Sequence, residues 1–389
     1  MATVRPILDC HLPYYLPTLV GCFFVYITEF HHMPILHLWI DYVVFPVLDL
    51  IFGEDHINPT PSEEKILKKQ FRWQLPIISY VILEWFCFFW SFSYLQRNEL
   101  SPLDFILFSI SIAHVNAEGI LVSHELFHKK SALLQFIGTL NLIKSLNMHF
   151  YSEHIYGHHK YVATPEDPAT AKFNQTLFDF IKQSIKGGLI NSWNREAKKM
   201  RKSNRPVISI YNKMVQFIGV EVVFLLLIFY FSGFKCLIFF VFQAYLSVSI
   251  LETINYVRHY GLVRKKMENG EYEPVSIKHS WNAPQLVQNY LLFKLQRHSD
   301  HHANSQKPYQ ILYSPKDAPS LPCGYAVCLL ACHFPNFWFE IINPLVETTN
   351  KSGFPSQIQM DKSTSALQKW IIYEVAFVSL LTYLVVFIL

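Results

Sequence analysis

Histidine is concentrated in four short segments of this chain. They read HELFH at 124–128, HFYSEHIYGHH at 149–159, NYVRHYGL at 255–262 and HSDHH at 298–302. Imidazole nitrogens are frequent ligands of transition metals such as Zn, Cu, Fe and Ni. Chance and core packing do not account for four such clusters, so the residue types predict a metal site.

The spacing within the segments indicates how many ions they hold. Three histidine pairs are four residues apart, namely His124 with His128, His154 with His158, and His298 with His302. On a helix such a pair shares one face, and both rings can reach one metal about 2 Å away. Adjacent histidines, as at 158–159 and 301–302, point in different directions. They suit two neighbouring ions, or one ion and one structural contact.

The number of histidines favours a dinuclear site of iron. Nine clustered imidazoles exceed the needs of one four-coordinate ion. Iron is the leading candidate because a redox metal at a membrane face would allow O₂ chemistry on lipophilic substrates. The other nine histidines are expected to have ordinary packing or hydrogen-bonding roles: His11, His31, His32, His37, His56, His114, His149, His279 and His333.

The composition is that of an integral membrane protein. Hydrophobic residues make up 51% of the 389 residues and charged residues only 16%, with a mean hydropathy of +0.20. Soluble domains carry about 25% charged residues. The net charge of +4 is too small to indicate a nucleic-acid partner. The start of the chain lacks the pattern of a cleaved signal peptide.

Six apolar runs are long enough to cross a bilayer as helices, which takes roughly 20 residues. They lie at 13–30, 34–52, 75–95, 103–123, 215–231 and 235–257, and the first and last pairs are predicted helical hairpins. The run 133–147 is short and contains Lys144, so it is expected at the interface or as a re-entrant segment. The tail 369–389 is either a seventh span or an interfacial helix.

Clustered positive charges orient these spans. Lysine and arginine are abundant in segments 58–74, 181–205 and 258–266, and such loops face the cytosol. All four histidine segments then lie at the cytosolic face. We therefore predict an all-α, multi-pass membrane protein with a cytosolic cap. Residues 1–349 would form a single domain, followed by a tail at 350–389. The membrane of residence is not predicted.

The flanking residues resemble a known family. HELFHK, EHIYGHHKYVATPEDPATA, NYVRHYGL and LQRHSDHHA are similar to the signature motifs of membrane alkane monooxygenases (alkane ω-hydroxylases). These belong to the histidine-motif di-iron superfamily of fatty acid desaturases and hydroxylases. The segments 45–59 and 321–346 also resemble that family, and the resemblance extends over roughly 36–348.

The resemblance implies a ligand set, a reaction and partners. Nine positions match the family's iron ligands: His124, His128, His154, His158, His159, His259, His298, His301 and His302. Two irons would use O₂ to hydroxylate the terminal methyl of an alkane or fatty acyl chain that arrives from the bilayer. A separate rubredoxin-, ferredoxin- or cytochrome b5-like protein, with its reductase, would supply electrons. A homo-oligomer remains open.

The sequence departs from the family at one position and leaves alternatives open. Arg258 stands where the family often has an acid, and Glu252 is a candidate replacement. Glu125, Glu153, Asp167 and Asp300 lie near the matched histidines, so they are candidates to accept an imidazole N–H. Each would otherwise be a surface charge or helix cap.

Other functions remain in competition with this one. A fatty acid desaturase or lipid hydroxylase of the same superfamily is the alternative enzyme. HELFH alone would also fit a zinc protease, in which the glutamate acts as general base. A metal transporter would place its ligands at mid-span, whereas these segments lie where spans end.

Overall fold

Helices account for nearly all regular structure in the computed structural model, which describes residues 4–388. Within that range the β-structure is limited to three isolated bridges. The first nine helices are α1 (Pro6–Asp9), α2 (Leu16–His31), α3 (Ile35–Trp39), α4 (Phe45–Phe52), α5 (Pro61–Leu67), α6 (Leu75–Arg97), α7 (Pro102–Phe127), α8 (Ala132–Asn141) and α9 (Phe150–Glu153). The remaining helices are α10 (His159–Tyr161), α11 (Leu177–Lys202), α12 (Lys213–His259), α13 (Leu286–Leu291), α14 (His298–Ala303), α15 (Tyr325–Ala331), α16 (Pro335–Ser352) and α17 (Gln357–Phe387).

Within residues 4–388, six helical stretches are long and apolar enough to cross a membrane, judged by length and composition. They are Pro6–His31, Ile35–Phe52, Phe71–Arg97, Pro102–Phe127, Lys213–His259 and Gln357–Phe387. Every span predicted from the sequence lies within one of these stretches, to within one residue, and the last two share the stretch Lys213–His259. The all-α membrane fold is thereby confirmed.

The last two predicted spans lie in the single 47-residue helix α12, which is interrupted at Gly233. This glycine has φ 80° and ψ −179°, a conformation that side chains with a Cβ rarely adopt. The rings of Phe224 and Phe240, on either side of the break, are 5.6 Å apart. The two halves therefore fold back on each other as the predicted hairpin, and His259 ends the second half.

The segment after α7 turns into the helical bundle. Lys144 is buried in the turn that follows α8, and its Nζ lies 2.9 Å from Glu84 Oε2 of α6. The ammonium also donates to Asn141 Oδ1 at 2.7 Å and lies 4.4 Å from the centre of the Trp85 ring. A charge that interrupts an apolar run in the sequence is therefore paired inside the protein.

The tail forms the 31-residue helix α17, which packs against α3. Trp39 Nε1 donates a hydrogen bond to Ser379 Oγ at 3.1 Å. Length and composition place this helix among the stretches that can cross a membrane. The tail is thus an apolar helix in contact with the bundle.

Candidate metal centre

The nine matched histidines form two adjacent groups. In each group, one ligand atom per residue lies within 4.8 Å of all the others. The five-histidine group contains His124, His128, His154, His159 and His301. The four-histidine group contains His158, His259, His298 and His302. Residues separated by up to 178 positions in sequence are therefore brought to one place, and no member of the set lies outside it.

Four regions of the chain position these rings. His124 lies in the last turn of α7 and His128 caps it, while His259 is the final residue of α12. The six-residue α14 carries His298, His301 and His302. The remaining three come from a π-helical turn, His154–His158, and the start of α10. The ends of the two apolar helices α7 and α12 thus meet the short helix α14 and the π turn that leads into α10.

The π turn changes one pairing expected from the sequence. His124 and His128 share a group, and so do His298 and His302, as helical spacing predicts. His154 and His158 do not, although they are also four residues apart; His154 instead groups with His159. The reason is local geometry, because a π turn repeats at i→i+5 and not at the α-helical interval. The structure therefore places residues 154 and 158 in different groups, unlike the other two pairs with the same spacing.

Adjacent histidines are divided between the two groups as the sequence predicts. His158 and His159 belong to different groups, and so do His301 and His302. Their rings are 6.0 Å and 5.7 Å apart, with interplanar angles of 71° and 77°. Each adjacent pair therefore links the two groups without crowding either one.

The ring nitrogens converge more closely than hydrogen bonding explains. His154 Nε2 lies 2.9 Å from His159 Nε2 and 3.3 Å from His128 Nε2. In the other group, His298 Nε2 lies 3.0 Å from the Nε2 atoms of both His259 and His302. A neutral ring nitrogen carries one proton or one lone pair, so it cannot properly satisfy two such neighbours.

A cation accounts for this geometry. Two nitrogens that each lie about 2.1 Å from one ion, at about 90° to each other, are about 3 Å apart. The Nε2 separations in both groups fall in this range. The donor set consists of imidazoles, which suit Zn, Cu, Fe and Ni. The residues present therefore fit a pair of transition-metal sites.

Burial keeps most of these imidazoles neutral. It lowers the pKa of His128 to about 3, and it holds the pKa values of His154, His298, His301 and His302 well below their usual value, with neighbouring imidazoles adding to the effect. A metal ligand must be an unprotonated imidazole. The groups are therefore in the protonation state that binds metal at neutral pH.

Asp167 contacts one of the histidines directly. His158 Nδ1 lies 2.9 Å from Asp167 Oδ2. Burial disfavours protonation of His158, but the Asp167 carboxylate outweighs this effect and raises the histidine pKa. Asp167 is itself held by Thr170 Oγ1, at 2.6 Å, and by the backbone N–H of Ala169, at 3.0 Å. The VATPEDPATA segment thus folds into a support for His158.

The other three acidic candidates make their hydrogen bonds elsewhere. Glu125 Oε1 pairs with Lys129 Nζ at 2.5 Å and accepts from the backbone N–H of Tyr309. Glu153 pairs with Arg195. Asp300 accepts from Lys307 Nζ, the Asn304 amide and the backbone N–H of Tyr313 at 2.8–3.0 Å. These acids brace the segments that carry histidines.

The side chain of Arg258 is held by a tyrosine. Its Nε donates to Tyr325 Oη at 3.1 Å, and the guanidinium lies 5.0 Å from the centre of the Tyr325 ring. Glu252 accepts from Ser184 Oγ and the Asn255 amide. Ser280 Oγ lies 3.5 Å from His259 Nδ1. Sequence spacing gave no indication of Ser280, because it comes from a separate loop.

Three cavities lie at or beside the site. The lipid-facing cavity, between α11 and the second half of α12, is lined by His154 and His158. The lysine-lined cavity opens beside His128 and is bordered by Lys68, Lys129, Lys130 and Lys307. The intramembrane cavity lies among α4, α7, α12, α13 and α15 and is lined by Leu121, Ile254 and Leu329. Sequence spacing alone did not predict any of them.

Comparisons with known proteins show what the whole chain is similar to. The fatty acid desaturase family matches residues 100–314. The chain is 35% identical to an alkane 1-monooxygenase of Acinetobacter baylyi over 305 residues, 78% of this chain and 75% of the relative. It is 36% identical to alkane 1-monooxygenase 1 of Pseudomonas aeruginosa, over 77% of this chain and 80% of the relative.

A more distant relative is also a component of a monooxygenase. The chain is 28% identical to the hydroxylase component of a xylene/toluene monooxygenase of Pseudomonas putida, over 63% of this chain and 66% of the relative. The matches to the relatives at 35–36% identity cover more than two thirds of both chains. All nine clustered histidines lie within residues 100–314, which match the fatty acid desaturase family. The chain therefore belongs to the alkane 1-monooxygenase family of membrane oxidoreductases, within the fatty acid desaturase superfamily.

Proposed function

We propose that this alkane hydroxylase inserts one oxygen atom of O₂ into the terminal methyl of an alkyl chain, at a centre of two irons held by the nine histidines. The observation that supports the proposal most is the division of the nine imidazoles into two adjacent groups with converging nitrogens. When bound, the two irons would supply the O₂ chemistry that no amino-acid side chain performs. The protein would hold the ions, position the methyl and exclude water.

The intramembrane cavity is the proposed binding site for the alkyl chain. Leu121 lies three residues before His124 on α7, and Ile254 lies five residues before His259 on α12. The cavity therefore runs along two helices that end at the two histidine groups. Leu121, Ile254 and Leu329 give this part of the cavity apolar walls, which would present the methyl end of an alkyl chain first.

The lipid-facing cavity is less suited to a methyl group. It reaches His154 and His158, but Glu153, Glu252 and Asn255 also line it. The Oε1 atom of Glu153 is buried without a hydrogen-bond partner among residues 4–388. A methyl group directed at the histidines from this side would desolvate Glu153, which is next to His154 in the chain. In the intramembrane cavity, the last lining residues before the histidines on α7 and α12 are the apolar Leu121 and Ile254.

The lysine-lined cavity is the proposed docking site for an acidic one-electron carrier. Four lysines line it: Lys68, Lys129, Lys130 and Lys307. His128 lies on the same cavity and is less deeply buried than its neighbour His124. A carrier steered by its negative charge would come close to the five-histidine group. If the positive loops face the cytosol, this cavity is on the cytosolic side.

The product of turnover tests the proposal. The iron-loaded protein in lipid nanodiscs would receive a reduced acidic carrier, n-alkanes and ¹⁸O₂. We expect a 1-alkanol that contains one ¹⁸O atom. An alkene without ¹⁸O would indicate the alternative, a desaturase, and the absence of any oxidised product from iron-loaded protein would contradict the proposal.

A further inference from the structure

The intramembrane cavity has a polar region in addition to its apolar walls. Asp41, Tyr42, His114 and Glu118 all line it. Asp41 and Tyr42 belong to a π-helical turn, Ile40–Val44, while the other two lie on α7. Ionisable residues inside membrane spans are costly and commonly mark a functional site. This region is therefore distinct from the nine-histidine site and needs its own explanation.

Most of these groups already have partners. Tyr42 Oη and His114 Nε2 are 2.8 Å apart, and His114 Nδ1 lies 2.9 Å from the backbone oxygen of Ile110. Glu118 Oε2 accepts a hydrogen bond from Tyr80 Oη at 2.7 Å. The hydroxyls of Tyr42 and Tyr80 and the ring of His114 are therefore held in place by hydrogen bonds.

Asp41 is the exception. Its side chain is buried, with the residue 9% exposed, and its Oδ1 atom has no hydrogen-bond partner within residues 4–388. The other oxygen, Oδ2, lies 3.6 Å from His37 Nδ1, beyond hydrogen-bond distance. A buried carboxyl oxygen without a partner costs about 1–3 kcal/mol or more. A donor that enters the cavity would remove this cost.

The position of the polar region relative to the histidines is set by α7. Glu118 precedes His124 by six residues, which corresponds to roughly 9 Å along the helix axis at about 1.5 Å per residue. Leu121 lines the cavity between them. A ligand with its polar group beside Asp41 and Glu118 would therefore extend an apolar chain past Leu121 towards the histidine groups.

We propose that the intramembrane cavity binds an alkyl chain with a hydrogen-bond-donating head group, a primary alcohol or an amine, seated at Asp41 and Glu118 with its methyl end towards the histidines. This inference rests on the proposed function, which it narrows to a substrate class. Two carboxyl groups accept from a hydroxyl or ammonium, whereas they repel a carboxylate. The cavity therefore favours such a ligand over a plain alkane, which leaves Asp41 unpartnered, and over a fatty acid.

Ligand binding tests this inference without requiring turnover. Radiolabelled 1-decanol is bound to the protein in nanodiscs and displaced by unlabelled 1-decanol, 1-aminodecane, n-decane or decanoate. Empty nanodiscs correct for partition into lipid. We expect the alcohol, the amine or both to compete at least tenfold better than n-decane and decanoate. The alcohol and amine arms show which donor is preferred.

Variants locate the site. Asp41→Leu combined with Glu118→Leu is expected to weaken 1-decanol binding at least tenfold and to leave n-decane binding unchanged or stronger. Glu221→Gln is the matched control, because Glu221 is a span carboxyl that accepts from the Met148 backbone N–H outside this cavity. If the double variant does not fold, the single variant Glu118→Gln and the wild-type preference remain as tests.

The outcomes separate this inference from the proposed function. Equal competition by all four ligands, or a preference unchanged in the variants, would overturn the inference and leave alkane hydroxylation intact. Lower thermal stability of the variants with unchanged preference would also overturn it, since the polar groups would then be only structural. A preserved preference with no hydroxylated product would instead contradict the proposed function.

Discussion

His158 Nδ1 lies 2.9 Å from Asp167 Oδ2. Within residues 4–388, this is the contact between a carboxylate and one of the nine clustered imidazoles. A carboxylate that accepts the second N–H of a ligand histidine fixes the ring and raises its basicity. Asp167 reaches His158 from nine residues further along the chain, through a loop fixed by its own hydrogen bonds.

Replacement of Asp167 tests this contact. Asp167→Ala leaves His158 Nδ1 without its acceptor, so we expect metal affinity or activity to fall by about 10–100-fold. The measurement is metal retention against a graded chelator, together with turnover. Glu166→Gln, a change at the exposed neighbouring acid, is the control. Unchanged metal retention in Asp167→Ala would show that His158 needs no carboxylate.

The helical fold and the histidine clusters were predictable because they depend on local patterns, whereas the nine-residue ligand set followed from the family resemblance. Span length and composition determine which segments are apolar helices, and residues 124 and 128 share a face through α-helical spacing alone. The grouping of residues 154 and 159 was not predictable in this way. The π turn at His154–His158 departs from α-helical spacing, and no residue spacing in the sequence indicates it.

Tertiary contacts explain the other differences between the sequence analysis and the structure. The sequence favoured Asp300 among four acidic candidates because histidines flank it, but in the fold Asp300 pairs with Lys307 and it is Asp167 that contacts a ring. Likewise, Lys144 interrupts an apolar run, and its partner Glu84 is 60 residues earlier in the chain. Such pairings depend on which helices become neighbours.

The buried pair of Lys144 and Glu84 is predicted to be a stability determinant. Removal of one partner leaves an uncompensated buried charge, which typically costs about 3–5 kcal/mol. Lys144→Met should therefore lower the free energy of unfolding by that order. Adding Glu84→Gln should restore much of the loss. The check is a double-mutant cycle on unfolding in detergent, and additive losses would contradict the pairing.

Electron delivery is predicted to depend on Lys130. Among the four lysines of the lysine-lined cavity, Lys130 makes no ion pair with the residues that the structure describes, so its replacement should not disturb folding. Lys130→Glu should raise the KM for an acidic carrier about tenfold and weaken its salt dependence, because rim charges act mainly on association. Steady-state kinetics with varied carrier concentration measure this effect.

A charge reversal outside the cavity provides the control for Lys130. Lys202→Glu makes the same change in the basic segment 181–205, at the end of α11. The KM for the carrier should be nearly unchanged in this variant, and kcat should be unchanged in both. An equal rise in KM in the two variants would mean that the whole basic surface attracts the carrier and that the cavity is not its docking site.

The metal-free protein is predicted to lose stability in mild acid. Burial holds the pKa of His128 at about 3 and those of His154 and His301 well below their usual value. In the unfolded chain these rings take up protons near pH 6.5. Since the unfolded state binds protons first, stability should be constant above about pH 7 and should fall as the pH decreases below about 6.5.

His158 affects the pH dependence of stability in the opposite direction. The raised pKa of His158 favours the folded state in acid, but it is one residue against several. The Tm of chelator-treated protein between pH 8 and pH 5 measures the balance. A Tm that does not fall between pH 7 and pH 5 would show that the histidines are not buried in neutral form.

Metal content measured on the purified protein tests the central claim most directly. We predict about two irons per chain in the wild type. His128→Ala and His302→Ala each remove one ring from a different group, so each should lower the iron content and abolish turnover while the chain still inserts into the membrane. Stoichiometric zinc without iron in the wild type, or full iron content and activity in either variant, would contradict the account.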